Sequence, residues 1–138
     1  MKEICEKHIP FNVFLGIRVK EIARGRVKLF LPFRKEWIGD IRRPAIHGGV
    51  ISTLMDTAGG AAAWTELNRG DRLSTVDLLV DFLVPAGEAP LEAEAEVVRI
   101  GNRVAVTQIV VRQQNRKEIV AKGRAVYNIV RSKDKDAS

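Results

Sequence analysis

The feature that most limits what this chain can fold into is the stretch from Gly48 to Leu67. Val50, Ile51, Leu54, Met55, Ala58, Ala61, Ala62, Ala63 and Trp64 stand on every side of a 3.6-residue period, and Asp56 is the one charge before Glu66. A helix that is apolar all round has to be wrapped by other elements rather than laid on a surface. It does not read as a membrane span. Gly48 to Thr65 carries Asp56 near its middle and four glycines, whereas a span needs roughly 18 or more apolar residues. Asn68-Arg69-Gly70-Asp71 supplies the stop.

What wraps it is legible on both sides. Val27, Leu29, Leu31 and Phe33 alternate after Gly25, which suits a hairpin turn. Beyond the helix, Val76, Leu78, Val80, Phe82 and Val84 mark a strand stopped by Pro85-Ala86-Gly87. Leu91, Ala93, Ala95 and Val97 alternate with Glu92, Glu94 and Glu96, a strand with one wet face. Ile100-Gly101-Asn102-Arg103 reads as a hairpin into Val104 to Val111. Gln113 to Lys117 turns again, and Ile119, Ala121, Ala125, Tyr127 and Ile129 line a last strand. Residues 1–12 read as a short helix or arm ending near Pro10, Arg34 to Ala45 as an irregular connection, and 131–138 as a polar tail. Two strands, a helix and four strands predict an α+β domain over residues 1–138: a curled antiparallel six-stranded sheet wrapped around one long central helix. Such a sheet keeps open edges, so association through an edge strand or helix face is expected.

Composition matters mainly for what it excludes. With 46% hydrophobic and 29% charged residues, the chain does not belong with disordered sequences. One cysteine, Cys5, makes no internal disulfide, and no Cys/His spacing suits a metal. The charges in MKEICEKHIP leave no room for a secretion signal, so a cytoplasmic location is expected, without membrane association. The net charge of +6 is unevenly spread. Glu88, Glu92, Glu94 and Glu96 cluster, while Arg99, Arg103, Arg112, Arg116, Lys117, Lys122 and Arg124 face Glu118 alone. That surface favours a polyanion such as a phosphorylated ligand. With 6% aromatics and no helix-turn-helix or RNP-like signature, nucleic acid is not expected.

The chemistry concentrates on the helix. A lone carboxylate among apolar residues costs several kcal/mol unless solvated, paired or protonated, so Asp56 points to a polar cleft. The structural alternative is a carboxylate held by Thr53, Thr57 or a helix end. His47-Gly48-Gly49 puts two residues without side chains where backbone N–H groups lack intrahelical partners, a place suited to an anion or a developing oxyanion. Gly49 and Asp56 are about two turns apart, hence on nearly one face. Mid-helix Gly59 and Gly60 signal either room for a ligand or close packing against a strand.

These residues carry a resemblance. His47 to Gly60, HGGVISTLMDTAGG, resembles the signature helix of hotdog-fold thioesterases of the phenylacetate-pathway, PaaI-like type. Phe14-Leu15-Gly16-Ile17 resembles the approach to that family's first strand. Ser74-Thr75-Val76-Asp77, with Phe82-Leu83-Val84-Pro85-Ala86, resembles its third strand. Arg99 to Arg103 and Ala121-Lys122-Gly123 resemble its later hairpins.

The resemblance implies an acyl-CoA thioesterase for a small or medium, or aromatic, acyl group, with coenzyme A as part of the substrate and no other cofactor. Asp56 would be nucleophile or general base, the Gly49 N–H would polarise the thioester carbonyl, and Gly48 and His47 would line the pocket. Thr75 would reach the carboxylate or water across a homodimer interface, with two dimers pairing into a tetramer. Arg99, Arg103 and Arg116 would hold the CoA phosphates, and the acyl group would lie along Gly59, Gly60 and Ala61 or beside Trp64. Asp40 stands near the place where relatives carry an Asn. Two other readings are open: an acyl-CoA-binding module without turnover, and an acyl-thioester dehydratase or hydratase, for which His8 and His47 are the only histidines.

Overall fold

The structure is a computed structural model that describes residues 1–114 and 116–133. Its main sheet has six strands: β1 (Arg18–Ala23), β2 (Arg26–Leu31), β5 (Arg72–Phe82), β6 (Leu91–Ile100), β7 (Val104–Gln113) and β8 (Ile119–Val130). All neighbours are antiparallel, in the order β1-β2-β6-β7-β8-β5. The central helix α2 (Gly48–Trp64) packs mainly against β6, β7 and β2. This is the α+β arrangement expected from the alternation of elements.

Register makes the core. Val27, Leu29 and Leu31 of β2 lie opposite Ala95, Ala93 and Leu91 of β6, and all six are fully buried. Val27 and Leu29 face alanines, which leaves space for Ile51, Leu54, Met55, Ala58 and Ala62 of α2. Full burial of each Leu, Ile or Met is worth about 1.5–3 kcal/mol. The alternating glutamates point outward, where Glu94 pairs with Arg26 at 3.2 Å and Lys28 at 3.7 Å. Exposed pairs of this kind contribute about 0–1 kcal/mol.

Four details depart from the expectations. The helix stops at Trp64 rather than Leu67, and Thr65 turns its hydroxyl to accept the Gly25 N–H at 2.6 Å, tying the helix end to the β1–β2 turn. Pro10 starts a helix instead of ending one: α1 (Pro10–Leu15) follows a wide turn over Ile4–His8, because Pro pre-sets the first helical φ, and Gly16 closes it at φ 76°. The connection between β2 and α2 contains a ribbon of β3 (Ile38–Asp40) and β4 (Ala45–Ile46). Finally, Val76 sits in a bulge of β5, so it drops out of the alternation with Leu78 and Val80 and is 66% exposed. The polar tail expected over 131–138 lies outside the described residues from 134 onward.

Burial shows α2 to be less symmetric than its composition. The side bearing Gly49, Thr53, Asp56, Gly60 and Trp64 is left uncovered or half-buried within the chain. Beside that open face runs edge strand β5, which exposes Val76, Leu79 and Phe82.

Candidate active site

α2 begins from a fixed point. The His47 N–H donates to the Trp37 carbonyl at 2.7 Å, and β3 runs so close that a Cβ on Gly39 would stand 2.8 Å from His47 Cα. His47 keeps extended backbone, φ −58° and ψ 133°, and its Nδ1 accepts the Gly49 N–H at 2.8 Å. The histidine is therefore the N-cap, occupying the very donor that the sequence suggested for an oxyanion. Gly48 lies under Phe82 of β5; a Cβ there would come within 3.2 Å of the ring.

Two turns further, Asp56 stands half-buried on the open face of α2. Its partners are not Thr53 and Thr57, whose hydroxyls donate to the Gly49 and Thr53 carbonyls at 2.8 Å each. They come from the sheet. Thr75 Oγ1 donates to Asp56 Oδ1 at 2.8 Å, and the Tyr127 hydroxyl lies 2.9 Å from the Asp56 carbonyl and 3.4 Å from Oδ1. Thr75 and Tyr127 are directly opposite each other on β5 and β8, so one cross-strand pair delivers both hydroxyls to the same carboxylate. The bulge at Val76 follows at once and lets Thr75 share the inward face with Leu78 beyond it. The Thr75 contact is made within one chain, whereas the resemblance implied a Ser or Thr reaching the carboxylate or water across the dimer interface. Among the described residues nothing hydrogen-bonds Asp56 Oδ2.

Tyr127 is the residue that sequence reasoning missed as part of the site. It is the only tyrosine in the chain and is 2% exposed. A buried phenol needs a partner for its hydroxyl, and that requirement, on an inward position of the last strand, was the available signal. Burial first, then the Asp56 charge, push its pKa well above the ordinary value, so it stays a donor across the physiological range.

The two glycines divide. Gly59 is buried, and a Cβ on it would stand 2.5 Å from the Tyr127 hydroxyl and 2.6 Å from Thr107 Oγ1. It lets the helix approach the sheet and is not room for a ligand. Gly60, in contrast, lines a cavity of about 460 Å³ that opens beside Asp56 and Thr75. Thr57, Ala61 and Trp64 continue that wall along α2, with Leu73 and Tyr127 from the sheet. Cys5, Ile9 and Asn12 of the N-terminal arm, with Asp71 and Arg72, complete the lining.

The remaining candidates do not gather at one place. Asp40 ends β3 in the ribbon, accepts the Arg42 N–H at 2.9 Å, and lies 3.6 Å from both the Arg42 and Arg43 guanidinium Nε atoms. It does not line the cavity beside Asp56. Arg99 and Arg103 flank the β6–β7 hairpin, the end of the sheet where Ala105 pairs with Tyr127. Arg116 lies past the opposite end of β7 and donates to the Pro85 carbonyl at 2.9 Å, so the three arginines form no single rim within a chain. His8 stands on the arm, 4.0 Å from Glu3, and neither histidine pairs with Asp56.

Comparison with known proteins agrees with this architecture. Residues 44–120 match the sequence model of the thioesterase superfamily. A Saccharolobus solfataricus protein that carries a provisional esterase name is 31% identical over 96% of this chain and 92% of its own length. One from Halobacterium salinarum, similarly named, is 36% identical over 70% of this chain; the match spans 65% of that relative, just under two thirds. The medium/long-chain acyl-CoA thioesterase YigI of Escherichia coli is 28% identical over 78% of this chain and 77% of its own. Among solved structures, a thioesterase family protein from Silicibacter pomeroyi superposes with a TM-score of 0.84, 26% identity and coverage of 91% and 92% of the two chains. An Asn-to-Asp mutant of the phenylacetic acid degradation protein PaaI from Thermus thermophilus gives 0.75, 26% identity, and coverage of 87% and 98%.

Proposed function

The chain belongs to the thioesterase superfamily, and from that premise we propose that it hydrolyses acyl-CoA thioesters with Asp56 as the reacting carboxylate. The observation that carries the reading is the arrangement at Asp56. One carboxylate stands on the open face of α2, held through Oδ1 by Thr75, beside a cavity walled mainly by apolar atoms. Clamping Oδ1 leaves Oδ2 to face the substrate. As general base, Oδ2 takes a proton from water as the oxygen attacks the thioester carbon. The tetrahedral intermediate then expels CoA thiolate, which takes up a proton, giving the free acid and CoA. As nucleophile, Oδ2 attacks the carbon itself and expels CoA thiolate, which takes up a proton; water then opens the resulting anhydride, releasing the acid and restoring the carboxylate.

The developing oxyanion needs a preorganised donor. The Gly49 N–H, about 10 Å along the helix axis from Asp56 at 1.5 Å per residue, fills that role when the substrate carbonyl displaces His47 Nδ1 as its acceptor. Losing such a donor typically costs about 10²–10³-fold in rate. CoA phosphates would be met by Arg99 and Arg103, at the Asp56 end of the sheet, rather than by Arg116. The exposed apolar edge of β5 supports a homodimer; a dimer of dimers as the larger assembly and a reducing, cytoplasmic setting complete the proposal. The acyl class named for YigI, medium to long chain, is the starting point for a substrate panel.

The engagement of the Gly49 N–H by His47 favours one rival, an acyl-CoA-binding module without turnover. Thiol release from a panel of acyl-CoAs decides between them. Turnover that falls about 10²–10⁴-fold in Asp56→Asn, the range of a positioned acid–base group, supports the thioesterase. Tight binding of the same compounds with no thiol released by folded wild type supports the binding module.

A further inference from the structure

We propose that the chain's own N-terminal arm is the end wall of the acyl chamber, and that Ile9 sets the length of acyl chain accepted. This inference rests on the thioesterase reading of Asp56. The cavity that opens beside Asp56 and Thr75 is lined by Arg72, Leu73 and Tyr127 from the sheet, with Asp71 just before it, and by Cys5, Ile9 and Asn12 from the arm. With the roughly 30 Å³ that one water molecule occupies in the liquid taken as the share of one non-hydrogen atom, about 460 Å³ holds about 15 such atoms. That is the size of a medium-length acyl chain, and Cys5 and Ile9 are the apolar side chains that the arm contributes to the lining.

The arm is a fixed wall, not a loose flap. The Glu6 carboxylate accepts the Val19 N–H at 2.8 Å, which pins the wide turn to β1. Asn12, 3% exposed, donates from Nδ2 to the Cys5 carbonyl at 3.1 Å, bridging the turn to α1. Its own carbonyl accepts the Gly16 and Ile17 N–H groups at 3.0 and 3.1 Å. Cys5 is 2% exposed, and burial raises its thiol pKa, keeping that part of the lining uncharged. Pro10 restricts the backbone directly after Ile9. With backbone pinned on both sides, a change of side chain at Ile9 alters the chamber's length rather than moving the arm. Ile9 is itself only half-buried, so its replacement does not empty the core.

The test compares kcat/KM for straight-chain acyl-CoAs from butanoyl to palmitoyl in wild type, Ile9→Ala and Ile9→Phe, with circular dichroism confirming the fold. A methylene in a hydrophobic pocket discriminates by about tenfold or more. Ile9→Ala should therefore raise the ratio of the next longer even chain to the wild-type optimum by about tenfold, and Ile9→Phe should lower it by a similar factor. Cys5→Ala, a second truncation in the same wall, should shift the profile in the direction of Ile9→Ala. Unchanged chain-length ratios in folded variants that still hydrolyse acyl-CoA overturn the arm's role while leaving the thioesterase reading intact. Wild type that releases no thiol from any member overturns both.

Discussion

Adjacent glycines in α2 should respond to the same substitution with opposite signs. Gly→Ala in a helix interior gains about 1 kcal/mol from propensity alone. At Gly60 the added Cβ meets Tyr127 Cε1 at 3.5 Å, ordinary contact, so Gly60→Ala should keep that gain of about 1 kcal/mol. At Gly59 the Cβ would stand 2.5 Å from one hydroxyl on β8 and 2.6 Å from another on β7. Overpacking costs typically about 1–3 kcal/mol, and two strands must yield here, which argues for the upper end. Subtracting the propensity gain leaves Gly59→Ala destabilised by about 2 kcal/mol. The two variants should then differ by about 3 kcal/mol. With a urea slope of about 1–3 kcal/mol per molar, their midpoints should be at least about 1 M apart, measured at one protomer concentration because association shifts apparent stability. If Gly59→Ala is as stable as Gly60→Ala, the close approach of α2 to Tyr127 and Thr107 is not what places Asp56, and the account of the site fails with it.

Two further outcomes follow from named contacts. Thr75→Val removes the hydroxyl that holds Asp56 Oδ1 while keeping its shape. A hydrogen bond to a charged group is worth about 1.5–3 kcal/mol, so kcat should fall roughly 10- to 100-fold, with Thr75→Ser restoring most of it; equal rates in all three would remove Thr75 from the site. Asp71 bears on the pH range. The Ser132 N–H first, then the Asn68 N–H and Arg131, hold its carboxyl below the ordinary carboxylate range. A depressed folded-state pKa stabilises the fold above the unfolded value, about 3.9, and that contribution disappears as pH falls through the folded value. Acid unfolding of Asp71→Asn should accordingly show a shallower pH dependence below pH 4 than wild type, and an identical profile would contradict the assignment.

The hydroxyl clamp also explains why a carboxylate is tolerated on this helix. Folding alone would prefer an alanine or leucine at position 56. Thr75 and Tyr127 supply donors from two strands, and the open face of α2 leaves the other oxygen outside the core.

The sequence by itself determined the elements and their faces. Alternation at Val27, Leu29 and Leu31 and at Leu91, Ala93 and Ala95 identifies the inward side, because a strand's period of two leaves no freedom once one face must be buried. The run from Gly48 onward identifies the helix, and the isolation of Asp56 marks the residue whose presence stability does not explain. Tertiary structure decided everything that depends on which segments meet. A single-residue bulge at Val76 reverses the phase of β5 and brings Thr75 to Asp56, and no local pattern announces it. Pairing of β5 with β8 makes Tyr127 a partner of that carboxylate from 71 residues away. The N-terminal arm, tied to β1, brings Cys5, Ile9 and Asn12 to the cavity beside Asp56, and close packing makes Gly59 a spacer while Gly60 lines that cavity. Periodicity is a property of neighbours in the chain, so it is written in the sequence. A site assembled from the arm, the helix and two strands is a property of register and packing, so it exists only once the chain has folded.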